Sequence, residues 1–176
     1  MLQPERKDMA AVLESTLDPE KEYEIVDGQP VEKAIAGALH GEVGVELIFN
    51  LMLHVKKERL GKVYGPDTTF TIGKNDRLPD IAFVSAARIP PEGSPEGKWP
   101  IAPDLAVEII SPNDIYEEVI ARVAEYLQAG VHQVWVVSLK QKTITVYHSL
   151  TQIKGFGEND ILDGGDVAAR LSLPRR

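Results

Sequence analysis

The segment between residues 104 and 137 is the part of this sequence that most restricts the fold. Asp104–Ile110 is an apolar run of strand length, and Val134–Val137 is a second one. Between them lies a helical pattern whose apolar residues recur every four positions, namely Ile115, Val119, Val123 and Leu127. A strand, a helix and a second strand in this order are typical of α/β domains. We therefore predict one α/β domain that contains a mixed β-sheet and this strand–helix–strand unit.

A second helix is predicted over residues 39–60, because apolar residues again recur every four positions until Gly61 ends the pattern. The other predicted elements are an amphipathic helix over 1–17, two strands around an Asp-Gly turn in 23–32, strands over 62–72 and 79–84 with a polar turn at 73–76, and a strand over 143–148 beside 134–137. The Pro/Gly-rich segment 86–103 is predicted to be a loop, and residues 149–176 are polar and rich in turns.

The composition is typical of one globular domain without disulfides. The chain has 176 residues, of which 43% are hydrophobic, and it has no cysteine, which excludes Cys-ligated metal sites. We expect a cytoplasmic protein without a membrane span, because neither an apolar run of about 18 residues nor the apolar core of a signal peptide is present. The net charge of −8 argues against nucleic-acid binding by bulk charge and leaves a local basic groove possible.

Two carboxylates lie within predicted strands. Asp80 follows Pro79 at the start of one apolar run, and Glu108 lies inside another, on the same face as the small Ala106. Burying a lone carboxylate costs several kcal/mol or shifts its pKa, and a partner removes that cost. Two such carboxylates on neighbouring strands form an oxygen-rich site suited to Mg²⁺. The alternative is that one or both point to solvent from half-buried strands.

A cation is predicted beside Glu108. Arg122 lies about two turns into the helix that follows the Glu108 strand, at ~1.5 Å per residue, so it is level with Glu108 and borders the apolar face. An arginine there needs a carboxylate or phosphate oxygen. The alternative is local pairing with Glu118 and Glu125, which lie within one turn of it.

An Asp, then a Glu in a central strand, then a cation is the arrangement of the PD-(D/E)XK nuclease superfamily. More closely, the chain resembles the Uma-two family of restriction-endonuclease-like proteins. The stretches that match are Tyr23–Gly28, Arg77–Val84, Ala102–Asp114, Tyr126–Val131, Val134–Val137 and Leu162–Val167. The resemblance covers about residues 20–167, so we treat residues 1–176 as a single nuclease-like domain.

The resemblance implies a restriction-endonuclease-like core, in which helices flank a mixed central sheet, and an endonuclease that uses Mg²⁺ or Mn²⁺ to hydrolyse DNA phosphodiester bonds. It makes Asp80 and Glu108 catalytic metal ligands. The superfamily lysine commonly lies two residues after the Glu; in this branch it has moved to the next helix, where Arg122 stands here. An arginine stays protonated, so it can stabilise charge but cannot act as a general base. An additional acidic residue is often present, for which Glu32 and Glu46 are candidates and Glu32 is preferred.

Three functions remain open from the sequence. The first is a metal-dependent DNA endonuclease, expected as a homodimer because cutting both strands commonly takes two active sites. The second is a weak or inactive nuclease-fold protein that acts as a binding or assembly module, in line with Arg122 and the net charge. The third is structural, with Asp80 and Glu108 in buried salt bridges to Arg77 and Arg122. His40, at a helix start, is expected to be a cap or a surface residue.

Overall fold

The computed structural model of the protein describes residues 17–111, 114–158, 160–164 and 168–172. Its helices are α1 (Ala38–Glu58) and α2 (Tyr116–Gln128). Its strands are β1 (Tyr23–Val26), β2 (Gln29–Glu32), β3 (Gly61–Tyr64), β4 (Phe70–Ile72), β5 (Asn75–Arg77), β6 (Ile81–Ser85), β7 (Leu105–Ile110), β8 (Gln133–Ser138), β9 (Thr143–Tyr147), β10 (Ile153–Gly157), β11 (Ile161–Gly164) and β12 (Ala168–Ser172). The helix predicted over residues 1–17 lies almost wholly outside the described residues.

The central sheet has six strands in the order β10-β9-β8-β7-β6-β3. β7 and β8 are parallel, and the other neighbours in this sheet are antiparallel. Helix α2 is the crossover between the two parallel strands, as a parallel pair requires. The predictions of a mixed sheet, of a strand–helix–strand unit and of a strand at 143–148 beside 134–137 are therefore confirmed.

The two helices cover opposite faces of this sheet. On one face, α1 packs with Leu47 and Leu51 against Leu105 and Val107 of β7. On the other face, α2 packs with its buried residues Val123 and Tyr126 against a layer that includes Ala82, Ala106 and Val134. Alternate residues of β7 thus enter different cores, because successive side chains of a strand point to opposite faces. The predicted division of β7 into two faces is confirmed.

A second sheet of four strands, in the order β2-β1-β5-β4, contributes to the core on the α2 face. Phe70 and Ile72 of β4 are buried in that core, where Phe70 stacks on Trp99 with ring centroids 6.4 Å apart. This sheet brings β1 and β5 to the side of the molecule where α2 lies. The remaining strands, β11 and β12, form an antiparallel pair.

Several predicted elements were wrong in extent. The segment 62–72 is divided between β3 and β4, which belong to different sheets, and the predicted turn at 73–76 contains the start of β5. Asn75 looks like a turn residue in sequence, yet it is buried because its amide donates to Glu125 and accepts from Asp27 N–H. The described residues of the segment 149–176 contain three strands; β10 is polar because it lies at the edge of the sheet and is largely exposed. The 86–103 loop includes a 3₁₀ turn at Ala86–Arg88.

The helix ends differ slightly from the predicted ones. Helix α1 ends at Glu58, and Arg59 adopts the left-handed conformation with φ of 56°. Gly61 has φ of 155°, and a Cβ there would lie 2.1 Å from the Val84 carbonyl oxygen, so only glycine fits beside β6. The N-cap of α2 is Ile115, which makes no side-chain hydrogen bond.

Candidate active site

Glu108 lies in the interior of the central sheet. Its strand, β7, is hydrogen-bonded to β6 on one side and to β8 on the other, and Glu108 is only 6% exposed. Its side chain shares the α2 face with Ala106, whose small side chain leaves room for a longer neighbour. A carboxylate in this position requires polar partners, because an unpaired buried charge is costly.

Both partners of Glu108 come from one face of α2. Arg122 Nη1 donates to Glu108 Oε2 at 2.8 Å, and the Tyr126 hydroxyl donates to Oε1 at 2.7 Å. Arg122 and Tyr126 are four residues apart, so they project from the same side of the helix. The prediction that Arg122 lies level with Glu108 is confirmed, and the alternative of local pairing with Glu118 and Glu125 is not what the structure shows.

The pKa values of these groups follow from their burial. Burial raises the pKa of Glu108; the nearby charge of Asp80 adds to this, while Arg122 and Tyr126 act in the opposite direction. The pKa of Arg122 is raised, chiefly by the charge of Glu108. The pKa of Tyr126 is raised by burial and then by Glu108, so its hydroxyl keeps its proton. The net effect on the Glu108 pKa is upward.

Asp80 is next to Glu108 across the sheet. The last paired residues of β6 and β7 are Ile81 and Val107, so Asp80 and Glu108 come next in the antiparallel register. Residues opposite each other in such a ladder project to the same face. Asp80 Oδ2 also accepts the main-chain N–H of Ile109 at 2.8 Å. The sheet therefore brings the two predicted carboxylates together.

Two further side chains contact Asp80, and the sequence analysis missed both. Lys33, just after β2, lies with Nζ 3.3 Å from Asp80 Oδ1 and donates to the Leu78 carbonyl at 2.7 Å. His40, in the first turn of α1, has Nε2 3.2 Å from Asp80 Oδ2. The expectation that His40 is a cap or a surface residue was wrong, since its side chain is 14% exposed and contacts Asp80.

A second buried charge network adjoins this pair. Arg77 donates from Nη1 to Glu24 at 2.8 Å and from Nε and Nη2 to Glu125. Burial acts to lower the pKa of Arg77, and its hydrogen bonds to Glu125 and Glu24 outweigh that effect and raise it. Arg77 therefore joins β5 to β1 and α2. The structural hypothesis that paired it with Asp80 was wrong, whereas the predicted pair of Glu108 with Arg122 is present.

The predicted third acidic residue does not join the two carboxylates. Glu32 is half exposed and pairs with Lys21 Nζ at 2.8 Å on the surface. Neighbouring residues of an extended chain point to opposite sides, so Lys33 reaches Asp80 while Glu32 points away. Within the described residues, the contact recorded for Glu46 is through its main-chain carbonyl, which accepts from Asn50. Glu24 acts on the site electrostatically, because its charge contributes to raising the pKa of both Arg122 and Tyr126.

Asp80 and Glu108 offer carboxylate oxygens, the type of ligand that a divalent cation such as Mg²⁺ binds. Mg²⁺ is commonly held by one or two carboxylates together with waters and substrate phosphates. Each carboxylate has about four lone-pair sites, and the contacts of Glu108 and Asp80 leave part of them free. Burial is the main cause of the raised pKa of Glu108 and the charge of Asp80 adds to it; a bound cation would relieve that repulsion. Within the described part of the chain, no cluster of three or more His, Cys, Asp or Glu side chains is arranged to bind a metal ion.

Comparisons with known proteins identify the family and the fold of the chain. The family model of Uma2, described as "Putative restriction endonuclease", matches residues 9–175. The crystal structure of a "putative nuclease belonging to DUF820" from Anabaena variabilis superposes with a TM-score of 0.80 at 22% sequence identity, covering 94% of each chain. A comparison with curated proteins gave no match. Among the described helices, none has the length and apolarity to cross a membrane.

Proposed function

Because the chain belongs to the Uma2 family of restriction-endonuclease-like proteins and has a nuclease fold, we propose that it is a metal-dependent endonuclease that hydrolyses DNA phosphodiester bonds. The observation that carries this proposal is the placement of Asp80 opposite Glu108, one residue beyond the last pair of the β6–β7 ladder, with Arg122 hydrogen-bonded to Glu108. Two carboxylates and a cation within one small region are what phosphodiester hydrolysis requires for holding a metal ion and an anionic substrate.

Asp80 and Glu108 would hold Mg²⁺ or Mn²⁺. Such an ion supplies a hydroxide nucleophile at neutral pH and neutralises charge on the phosphate. The fold fixes both ligands before the ion binds: the Ile109 N–H orients Asp80, and Arg122 with Tyr126 orients Glu108. Ligands that are already oriented lose little conformational freedom when they bind.

Arg122 is the phosphate-binding cation of this proposal. One of its terminal nitrogens is hydrogen-bonded to Glu108, and its side chain is 38% exposed, so further N–H groups are accessible to a ligand. A guanidinium binds phosphate oxygens well and cannot accept a proton at neutral pH. Arg122 therefore would stabilise charge on the phosphate and does not act as a base.

A second function, an inactive nuclease-fold binding module, is favoured by one observation. Both oxygens of Glu108 already have hydrogen-bond donors, Arg122 and Tyr126, so the buried pair is also stable as a purely structural feature. This alternative predicts a folded protein that does not cleave DNA under any metal condition. A homodimer belongs to the endonuclease proposal, and light scattering measures it.

The test compares wild type with Asp80→Asn on supercoiled plasmid and on single-stranded DNA, with Mn²⁺ present or removed by chelator. Asp27→Asn is the matched control, because Asp27 is an exposed carboxylate that pairs with Lys74. We expect cleavage by wild type and the control only with Mn²⁺, loss of cleavage in Asp80→Asn, and a rise in melting temperature with Mn²⁺ that Asp80→Asn abolishes. Metal binding without cleavage would favour the binding module. The absence of both metal binding and cleavage would favour the structural hypothesis.

A further inference from the structure

Lys33 is a charged residue of this site to which the family pattern and the motifs in the sequence give no role. Its ammonium lies 3.3 Å from Asp80 Oδ1 and donates to the Leu78 carbonyl, and its side chain is 21% exposed. An ammonium has three N–H donors, so two contacts leave one donor for a ligand. Lys33 thus combines a fixed position beside a predicted metal ligand with access to solvent.

The orientation of Asp80 is already determined without Lys33. Asp80 Oδ2 accepts the Ile109 N–H at 2.8 Å and lies 3.2 Å from His40 Nε2, whereas Lys33 contacts the other oxygen, Oδ1. A lysine is also a poor choice for rigid support, because its charge is carried on a flexible chain with rotatable donors. These contacts indicate a role other than fixing the carboxylate.

The charges of the site suggest what that role is. Asp80 and Glu108 carry two negative charges, and Lys33 and Arg122 carry two positive charges. The adjoining network of Arg77, Glu24 and Glu125 adds one net negative charge, so a bound divalent ion would leave an excess of one positive charge, which attracts an anionic phosphodiester. The two cations contact different carboxylates, Lys33 on Asp80 and Arg122 on Glu108.

We propose that Lys33 is a substrate-binding residue of this site, whose ammonium donates to the phosphate group that is cleaved. It supplies a compact lysine cation in a site where the motif position is occupied by Arg122, which is hydrogen-bonded to Glu108. This inference rests on the proposed function, since it assumes that a phosphodiester binds beside Asp80. A direct donor to the reacting phosphate stabilises charge that develops during the reaction.

The experiment compares Lys33→Met with Lys21→Met. The control removes the same charge from an exposed ion pair with Glu32, away from Asp80. Three quantities are measured: Mn²⁺ affinity by calorimetry without DNA, affinity for a short DNA duplex with Ca²⁺, which takes the same oxygen ligands, and single-turnover cleavage with Mn²⁺. Lys33→Gln is the second variant in case Lys33→Met does not fold, and thermal melting checks both.

We expect Lys33→Met to raise Mn²⁺ affinity, because it removes a positive charge beside a metal ligand, and to lower cleavage by roughly 10²-fold, as loss of one charge-stabilising donor does. DNA affinity should fall as well, and Lys21→Met should change none of the three. Lower Mn²⁺ affinity together with lower cleavage would mean that Lys33 only supports Asp80 and would overturn the proposal. Unchanged cleavage and DNA affinity would also overturn it.

Failure of the proposed function gives a different result. If wild type cleaves no DNA, the DNA affinity alone decides on Lys33: a fall in Lys33→Met that Lys21→Met does not show supports a phosphate-binding role, and equal affinities overturn it. If wild type cleaves DNA and Lys33→Met cleaves it equally fast, the endonuclease proposal stands and the role of Lys33 is refuted.

Discussion

The segment that contains β7 has two buried carboxylates, and they contrast sharply although they are four residues apart. Asp104 is 2% exposed and Glu108 is 6% exposed, and each accepts a hydrogen bond from an arginine at 2.8 Å, Arg88 and Arg122 respectively. Glu108 is the more deeply enclosed of the two, so burial acts more strongly on its pKa. The two pKa values shift in opposite directions, downward for Asp104 and upward for Glu108.

The other donors and charges around each carboxylate also act on its pKa in different directions. Burial acts to raise the pKa of Asp104, but the Ser85 main-chain N–H, at 2.7 Å, and Arg88 outweigh it. The donors described for Glu108 are both side chains, and Asp80 adds a like charge nearby. The Ser85 N–H and Arg88 favour the ionised form of Asp104, which holds the segment before β7 against both of them. Glu108 remains a carboxylate whose charge becomes favourable when a further cation binds.

The largest difference between the two carboxylates is expected in the rate of DNA cleavage. Glu108→Gln should lower Mn²⁺-dependent DNA cleavage by at least about 10³-fold, because a metal ion supplies several kcal/mol of charge stabilisation and about 1.4 kcal/mol equals tenfold in rate. Asp104→Asn should leave the rate per folded molecule unchanged. Single-turnover cleavage, normalised to the folded fraction, measures both. Equal rate losses in the two variants would show that burial, and not the site, determines the effect.

Replacing the cation beside Glu108 sharpens the comparison further. Arg122→Lys keeps the positive charge and restores a group able to exchange a proton, so we expect cleavage to rise by up to about 10²-fold, the lower range of general-base help. The matched change at Asp104, Arg88→Lys, should not alter cleavage. If Arg122→Lys left both Mn²⁺ affinity and cleavage unchanged, Arg122 would serve only as the structural partner of Glu108.

The sequence allowed the surroundings of Glu108 and Asp80 to be predicted only in part. The β7 alternation, the position of Arg122 and the proximity of Asp80 follow from local periodicity and strand order, which are short-range signals. Tyr126 could have been found, since it follows Arg122 by four residues on the same helix face. Lys33 and His40 reach Asp80 from segments more than thirty residues earlier in the chain, and no local pattern specifies such a contact. The polar β5 and β10 were missed because side-chain hydrogen bonds or edge positions stabilise them.

For the free energy of unfolding, we expect Asp104 to matter more than Glu108, the reverse of their order in cleavage. Asp104→Ala leaves the Ser85 N–H without its acceptor and Arg88 without its partner, so we expect a loss of about 2 kcal/mol in the free energy of unfolding. Urea denaturation measures this loss. Asp160→Ala is the control, because Asp160 is an exposed carboxylate that also accepts a main-chain N–H, from Gly157 at 2.7 Å. A loss below that of the control would mean that Asp104 does not hold the segment before β7.

The smallest expected effect is in the pH dependence of stability of the metal-free protein. Asp104 has a lowered pKa, so its contribution is present above the unfolded value of about 3.9 and is lost as the pH falls through the folded value. Glu108 has a raised pKa, so its contribution is present below the unfolded value of about 4.3 and is lost as the pH rises through the folded value. Urea denaturation of wild type and Glu108→Gln across this pH range isolates the contribution of Glu108 to stability. The stability of Glu108→Gln relative to wild type should increase as the pH rises above about 4.3, and saturating Mn²⁺ should reverse that trend, because a bound cation favours the ionised carboxylate that only wild type has. A difference that stays constant with pH would mean that Glu108 titrates as an ordinary carboxylate, and the contrast with Asp104 would be lost.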